Sequence, residues 1–381
     1  MHRTMFTDDH HEFRASVVKF VARHVGPRVD DFVAGIPLDR DLWREAGDQG
    51  LLGLEIPEAH GGSDARDFRF NAVLTEELAK SSLGLASSFA IHTDTVAPYL
   101  VGLTTPEQKD RWLPKFCTGE TVTALGMTEP GGGSDVGALR TTARRDGGRW
   151  IINGTKTFIT NGGSADLVLV AASTDPEAGA RGITLFGIDY GVEGFTRGRK
   201  LDKVGMPESD TSELSFSEVI IDDSCRIGDV GRGFFYMMER LPRERLIAAV
   251  SNIAHARQIF AETLCYVKDR RAFGRAIGEF QHNKFILAEI ATQLDVTQTF
   301  VDQLVKVESE GQVSAVLAAK AKWWTAEVQN KVIDQCVQLH GGYGFMNEYR
   351  VAQAWKDARV TKIWGGTNEI MKEVIGRDLG L

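Results

Sequence analysis

The chain has 381 residues, 43% of them hydrophobic and 25% charged, enough apolar side chain for a large core and too much for long disordered stretches. Its 44 Lys and Arg against 52 Asp and Glu leave a net charge of −8, the wrong sign for a protein that grips nucleic acid through a basic face. Cys117, Cys225, Cys265 and Cys336 lie far apart without zinc spacing, and none of the nine histidines forms an H-E-x-x-H pair, so reduced thiols and no metal centre are expected.

In chain order, the opening MHRTMFTDDHHEFR is too polar for a signal peptide, and the longest apolar run, Leu167–Ala172, is far short of a membrane span. The expectation is a soluble cytoplasmic protein, or a mature organellar one, without integral membrane contact. Phe13, Val17, Phe20, Val21 and Val25 keep helical spacing until Gly26-Pro27, where the run should end. Gly61-Gly62-Ser63-Asp64 reads as a loop, Phe70–Ser81 as a second helix, and Thr105-Pro106-Glu107 as a cap with proline at the first helical position. Residues 1–120 therefore read as a helical domain.

Residues 121–232 change character. Short β-branched and aromatic runs, Thr121–Met127, Arg149–Ile152, Thr155–Thr160, Leu167–Ala172, Ile183–Ile188 and Leu214–Ile221, predict an antiparallel β domain. Asn153-Gly154 predicts a hairpin, since a type I′ turn needs two residues that tolerate positive φ. Residues 233–381 return to long helical patterns: Leu246, Val250, Ile253, Phe260, Leu264 and Val267 hold one face, and Phe285–Val307 and Val313–Leu339 come after it with a short break at Gly311. Short connections between long helices predict an antiparallel bundle. The fold class is thus multi-domain α+β in the order helical, β, helical.

Four motifs could carry chemistry. Thr128-Glu129-Pro130-Gly131-Gly132-Gly133-Ser134-Asp135 can turn successive backbone N–H groups toward an anion or a polar ring edge, or be a plain loop. In Phe158-Ile159-Thr160-Asn161-Gly162-Gly163 the ring and hydroxyl two residues apart on a strand would share a face, either to meet a flat cofactor or, as is commoner, as a core Phe beside a surface Thr. Gln338, Gly341, Gly342 and Gly344 close a long helix, where a C-cap explains one glycine but not three. Arg270-Arg271-Ala272-Phe273-Gly274-Arg275, followed by Gln281, is either a solvated basic run or a phosphate grip. Neither the dinucleotide-binding G-x-G-x-x-G nor the P-loop pattern occurs, which disfavours a nicotinamide enzyme and an NTPase.

Together, in this order and on this layout, these motifs resemble the acyl-CoA dehydrogenase family along essentially the whole chain. The TEPGGGSD run and the segment Gln338–Asp357 match its two signature regions, with Gln353 departing where Lys or Arg is usual. The stretch Met238–Arg245 and the ending Ile363-Trp364-Gly365-Gly366-Thr367-Asn368-Glu369-Ile370 look most like the long-chain branch. The resemblance implies FAD as cofactor, an acyl-CoA substrate, an electron-transferring flavoprotein as partner, and a homotetramer. It puts Thr128 at the flavin ring, Phe158 against its face and Thr160 near its N5, with Thr367 and Glu369 also at the cofactor. Gln338 and Gly342, with Arg270, Phe273 and Gln281, match positions that hold the pyrophosphate and adenosine, and the family draws such groups from different subunits. Ser134 would lie by the acyl chain, Arg245 near the coenzyme A phosphates, and helices around Phe89–Tyr99 at the pocket floor.

Many members carry their catalytic glutamate near the C-terminus, where this sequence has Gly365. The long-chain and isovaleryl branches instead place it before an Arg-Leu pair, matched here by Arg243-Glu244-Arg245-Leu246. Glu244 is therefore the expected base, and the Gly365 backbone N–H the expected donor to the thioester carbonyl. If a helix begins at Pro242, an acidic residue in its first turn would also suit the helix dipole, by about 0.3–1 kcal/mol. Glu239 is the nearest competing carboxylate. The resulting expectation is dehydrogenation of a long-chain or branched acyl-CoA to the trans-2-enoyl-CoA. An acyl-CoA oxidase and a non-catalytic acyl-CoA-binding subunit are the alternatives.

Overall fold

The computed structural model describes residues 3–381, so Met1 and His2 of the polar start lie outside it. The N-terminal layer is helical: α1 (Asp8–Phe20), α2 (Val29–Val33), α3 (Arg40–Asp48), α4 (Phe68–Ser81), α5 (Leu83–Ala90), α6 (Ala97–Leu103) and α7 (Pro106–Cys117). The α7 start is as the sequence predicts, with Thr105 and Gln108 forming a capping box around Pro106. Gly26-Pro27 does not end the first helical run. The backbone stays helical through a π turn (Val21–Val25) and a 3₁₀ turn (Gly26–Arg28) into α2, because Pro27 sits at the start of the 3₁₀ turn, where its missing N–H costs little. A second π-helical segment, Ile91–Val96, joins α5 to α6.

The middle of the chain forms one sheet in the order β6-β7-β3-β2-β4-β5-β8, with β1 paired to β4. Its strands are β1 (Thr123–Gly126), β2 (Thr142–Asp146), β3 (Arg149–Ile159), β4 (Leu167–Ser173), β5 (Ile183–Asp189), β6 (Phe195–Lys200), β7 (Ser212–Asp222) and β8 (Arg226–Ile227). Every residue of β4 is buried. Leu167, Leu169 and Ala171 face a core shared with α6 and α7, and Val168, Val170 and Ala172 face the sheet's own core. A strand covered on both faces reads as an unbroken apolar run. The sheet is mostly antiparallel, but β1 runs parallel to β4, as the long β1–β4 connection permits.

The hairpin expected at Asn153-Gly154 is absent. β3 runs straight through those residues, with a register shift at Ile152/Gly154, and Gly154 is glycine because a Cβ there would come within 2.4 Å of Thr141 Oγ1. The turn lies instead at Gly147-Gly148, between β2 and β3, with Gly147 at φ 60 and the pair Asp146–Arg149 closing it. β2 itself, TARRD, has one buried residue in five and so little apolar signal.

The C-terminal layer is the expected bundle: α8 (Gly233–Asp269), α9 (Gln281–Ser309) and α10 (Ala315–His340), followed by α11 (Arg350–Ala358) and α12 (Asn368–Asp378). A short hairpin, β9 (Arg271–Ala272) with β10 (Arg275–Ala276), links α8 to α9. α8 is 37 residues long and carries Pro242 in its interior rather than at its start. Its face of Leu246, Val250, Ile253 and Phe260 meets Val328, Val332 and Cys336 of α10 in the bundle core.

Candidate active site

Glu244 is the twelfth residue of α8, well past the first turn, so the helix dipole does not account for it. The residue is half-buried, and burial raises its carboxyl to about 7 against the pull of Arg245, the Tyr99 hydroxyl and Arg240. Tyr99 Oη donates to Glu244 Oε1 over 3.5 Å. The competitor Glu239 is 64% exposed and pairs with Arg240 at 3.6 Å, a solvated carboxylate without the environment a base needs.

The neighbouring Arg245 reaches away from the surface. It is 8% exposed, and its Nε donates to the Gly365 carbonyl over 3.3 Å. The expected phosphate neighbour is thus an enclosed guanidinium engaged with a backbone carbonyl of the C-terminal turn. The contact ties the stretch of α8 that carries Glu244 to the Gly365 turn, across 120 residues of sequence. Lys322 of α10, fully buried, donates to the Gly366 carbonyl over 2.6 Å and to Asn368 Oδ1 over 3.3 Å. Two buried cations thus hold two consecutive carbonyls of a turn whose glycines sit at φ 62 and φ 90. Thr367 caps α12 through Ile370 N, and Glu369 is exposed in its first turn.

The glycine-rich loop is pinned by Glu129, a residue to which the sequence alone assigns no role. Glu129 accepts from Arg140 N at 2.7 Å, Thr141 N at 3.0 Å and the buried Lys156 Nζ at 2.7 Å. Burial works against the Glu129 charge, but these donors hold its carboxyl below the usual range, and burial lowers Lys156 to about 8. Thr128 O accepts from Thr157 N at 2.9 Å, so the loop lies along β3 just before Phe158, while Ser134 is exposed farther along it. Phe158 and Thr160 do not follow simple strand alternation. The register shifts between Lys156 and Ile159, and Phe158 takes φ 58, leaving its ring 68% exposed. Asn161, at φ 62, is buried and donates to Ser88 O and Thr123 O, which anchors this strained strand end to α5 and β1. An ion pair and an amide anchor of this kind join residues distant in sequence, so no local pattern announces them.

The remaining expected cofactor residues form a separate surface. Arg270 lies over the Tyr343 ring at 5.4 Å, and Phe273, on the β9–β10 turn at φ 51, is 95% exposed. Gln281 begins α9, and Gln338 and Gly342 are exposed at the end of α10. Gly341 supplies the positive-φ cap of α10, and a Cβ at Gly344 would meet Val337 O at 2.3 Å. Gly342 has neither constraint, with nothing within 4 Å of a Cβ there, so the third glycine leaves space for something other than this chain. Among the described residues no cluster of His, Cys, Asp and Glu could hold a metal ion, and no helix is long and apolar enough to cross a membrane.

Comparison with known proteins gives a consistent picture. Residues 7–120, 124–219 and 231–380 match the models of the acyl-CoA dehydrogenase N-terminal, middle and C-terminal domains. The chain is 44% identical over 379 residues to the mitochondrial long-chain specific acyl-CoA dehydrogenase of Rattus norvegicus, covering 99% of this chain and 88% of the relative. It is 35% identical over 377 residues to the mitochondrial isovaleryl-CoA dehydrogenase of Solanum tuberosum, covering 98% and 91%. An acyl-CoA dehydrogenase from Geobacillus kaustophilus superposes with a TM-score of 0.98 at 42% identity, each chain covered completely. A Mycobacterium smegmatis glutaryl-CoA dehydrogenase in complex with FADH2 superposes with a TM-score of 0.92 at 26% identity, covering 98% of this chain and 95% of that one.

Proposed function

The chain belongs to the acyl-CoA dehydrogenase family, and from that premise we propose that it dehydrogenates a long-chain fatty acyl-CoA, with Glu244 as base and FAD as cofactor. The observations that support the choice of base are the Glu244 carboxyl raised to about 7 and the bond from the next residue, Arg245, to the Gly365 turn.

The residues present fit a flavin. Phe158 holds an apolar ring exposed on a strained backbone beside the glycine-rich loop, and Gly342 leaves open space one residue from Tyr343, over whose ring Arg270 lies. Thr128, Phe158 and Thr160 would hold the ring system, with Thr367 and Glu369 near it, and Arg270, Phe273, Gln281, Gln338 and Gly342 the diphosphate and adenosine. When bound, the flavin supplies a hydride acceptor for the substrate β-carbon.

Glu244 removes the α-proton, which requires its ionised form. A thioester α-C–H is a weak acid, so charge developing on the carbonyl oxygen must meet fixed donors. The Gly365 N–H is assigned that role, and Arg245 and Lys322 keep the turn that carries it rigid by holding the carbonyls of Gly365 and Gly366. Glycine in place of glutamate at position 365 removes a side chain but no backbone donor, so a base on α8 leaves carbonyl polarisation in place.

The long-chain choice rests on the helix position of the base and on the higher identity to the long-chain relative than to the isovaleryl one. An electron-transferring flavoprotein as acceptor and a homotetrameric assembly belong to the same reading. The test is anaerobic mixing of the purified yellow protein with a series of acyl-CoAs. Bleaching of the flavin, with a higher specificity constant for long chains than for butyryl-CoA, is expected. Butyryl-CoA as the best substrate would overturn the chain-length assignment, and stoichiometric peroxide in air would make the protein an oxidase.

A further inference from the structure

Tyr99 is fully buried in the first turn of α6, where its ring packs in the core shared by the N-terminal helices and the sheet. A buried phenol needs a partner for its O–H. Among the described residues that partner is Glu244, 145 positions away. The ring also carries Arg240, whose guanidinium carbon lies 4.9 Å from the ring centroid. Gly102 leaves room for that guanidinium, since a Cβ there would stand 3.0 Å from Arg240 Nη2.

The spacing between Tyr99 and Glu244 is set by a second contact between the same two stretches of chain. Asp94, buried in the π-helical segment that leads into α6, accepts from Asn71 Nδ2 at 2.9 Å and from Thr93 Oγ1 at 2.7 Å. Arg243, the residue before Glu244, approaches the same carboxylate at 3.6 Å while also pairing with Glu55. Arg243 thereby keys α8 to the segment carrying Tyr99. A π-helical turn shifts the register of the helix downstream of it by about one residue. Here that segment ends at Val96, and Tyr99, the phenol that faces the base, comes three residues later.

Resting on the assignment of Glu244 as base, we propose that Tyr99 is a positioning residue for the reaction: its O–H donates to the Glu244 carboxylate and fixes the orientation in which that base meets the substrate. The groups around Glu244 make this contact the one a conservative change can isolate. Arg240 and Arg245 flank it on α8, Tyr99 approaches from α6, Arg243 is engaged by Glu55 and Asp94, and Lys322 is engaged by the Gly366 carbonyl. A donor to the charged form favours ionisation, opposing the effect of burial. Without the hydroxyl, the base should require a higher pH to ionise.

The experiment compares the parent, Tyr99→Phe, Glu244→Gln and the double variant, all as flavin-loaded protein. Rapid-mixing reduction by a long-chain acyl-CoA is followed from pH 5.5 to 9. In Tyr99→Phe the acid limb should move up by roughly one pH unit, with unaltered flavin content, because the phenyl ring keeps its packing. Infrared titration of the buried carboxyl without substrate should move by the same amount and lose its signal in Glu244→Gln. An unmoved limb in Tyr99→Phe, with reduction abolished in Glu244→Gln, overturns the role of Tyr99 and leaves the base assignment standing. Parent-like reduction in Glu244→Gln overturns the base assignment itself, and the proposal with it.

Discussion

At the scale of single residues, the chemistry and the stability of Glu244 pull in opposite directions with pH. The proposed proton abstraction needs the carboxylate, so flavin reduction should climb as pH rises through about 7 and fall away below it. Folding favours the protonated form: with the folded value raised above the unfolded one, this group's contribution is full below the unfolded value and lost as pH rises through about 7. Glu244→Gln separates the two effects. Reduction should drop by about 10²–10⁴-fold, the usual worth of general-base catalysis, while the urea midpoint at pH 8 should equal or exceed the parent's. A lower midpoint at pH 8 would mean that the carboxylate is better solvated than its enclosure implies. Adding Gly365→Glu tests the alternative, C-terminal location of the base. A Cβ at Gly365 meets nothing within 4 Å, but φ 62 disfavours a side chain by roughly 1–2 kcal/mol, so partial recovery of reduction in a less stable protein is the expected outcome. Glu244 stands out in the sequence as the candidate base because Arg-Leu comes after it and glycine stands at position 365. Tyr99, Lys322 and Lys156 are not legible there, since a core tyrosine and two lysines look ordinary until the fold encloses them. The Arg245 contact to the Gly365 carbonyl is not legible either, because it depends on how α8 packs against a turn 120 residues away.

Among the elements, helices announce themselves and sheet details do not. α4, α7, α9 and α10 follow from apolar spacing and caps, which are local properties. The sequence reads β3 as two strands because Asn-Gly is a strong local turn signal, and pairing along both edges with β2 and β7 overrides it. Gly154 is there to let Thr141 pass, so Gly154→Ala should destabilise by about 1–3 kcal/mol through overpacking. Gly148, at the true turn, has nothing within 4 Å of a Cβ and no positive φ, and Gly148→Ala should stay within about 0.5 kcal/mol of the parent. Urea titrations of the two variants side by side check this. Equal midpoints would mean that β3 and the Thr141 backbone move apart more easily than their packing indicates. The proline inside α8 misleads for a related reason: Pro242 reads as a helix start, yet buried residues lie on both sides of it, and tertiary packing outweighs its local cost.

For the whole molecule, the surface around Arg270 matters most. Phe273 and Phe345 project their rings into solvent, with Tyr343 half-exposed, an apolar exposure unusual for a chain that acts alone. Light scattering should therefore show an oligomer, and Arg270→Ala should lose flavin on dilution while the parent retains it. A flavin-saturated monomer would overturn the shared cofactor site. The long helix α8 turns this into a question of reach. It carries Glu244 near one end and delivers Arg270 at the other, and the 25 residues from 244 to 269 (269 − 244), at 1.5 Å each, keep the two about 38 Å apart. In the proposed shared site, α8 acts as a ruler: the cofactor half at Arg270 and the base at Glu244 of one chain would serve different sites. Two crippled chains should therefore repair each other. Co-expressed Glu244→Gln and Arg270→Ala subunits, each deficient alone, should yield mixed assemblies in which one chain lends its carboxylate and the other its guanidinium to an intact site.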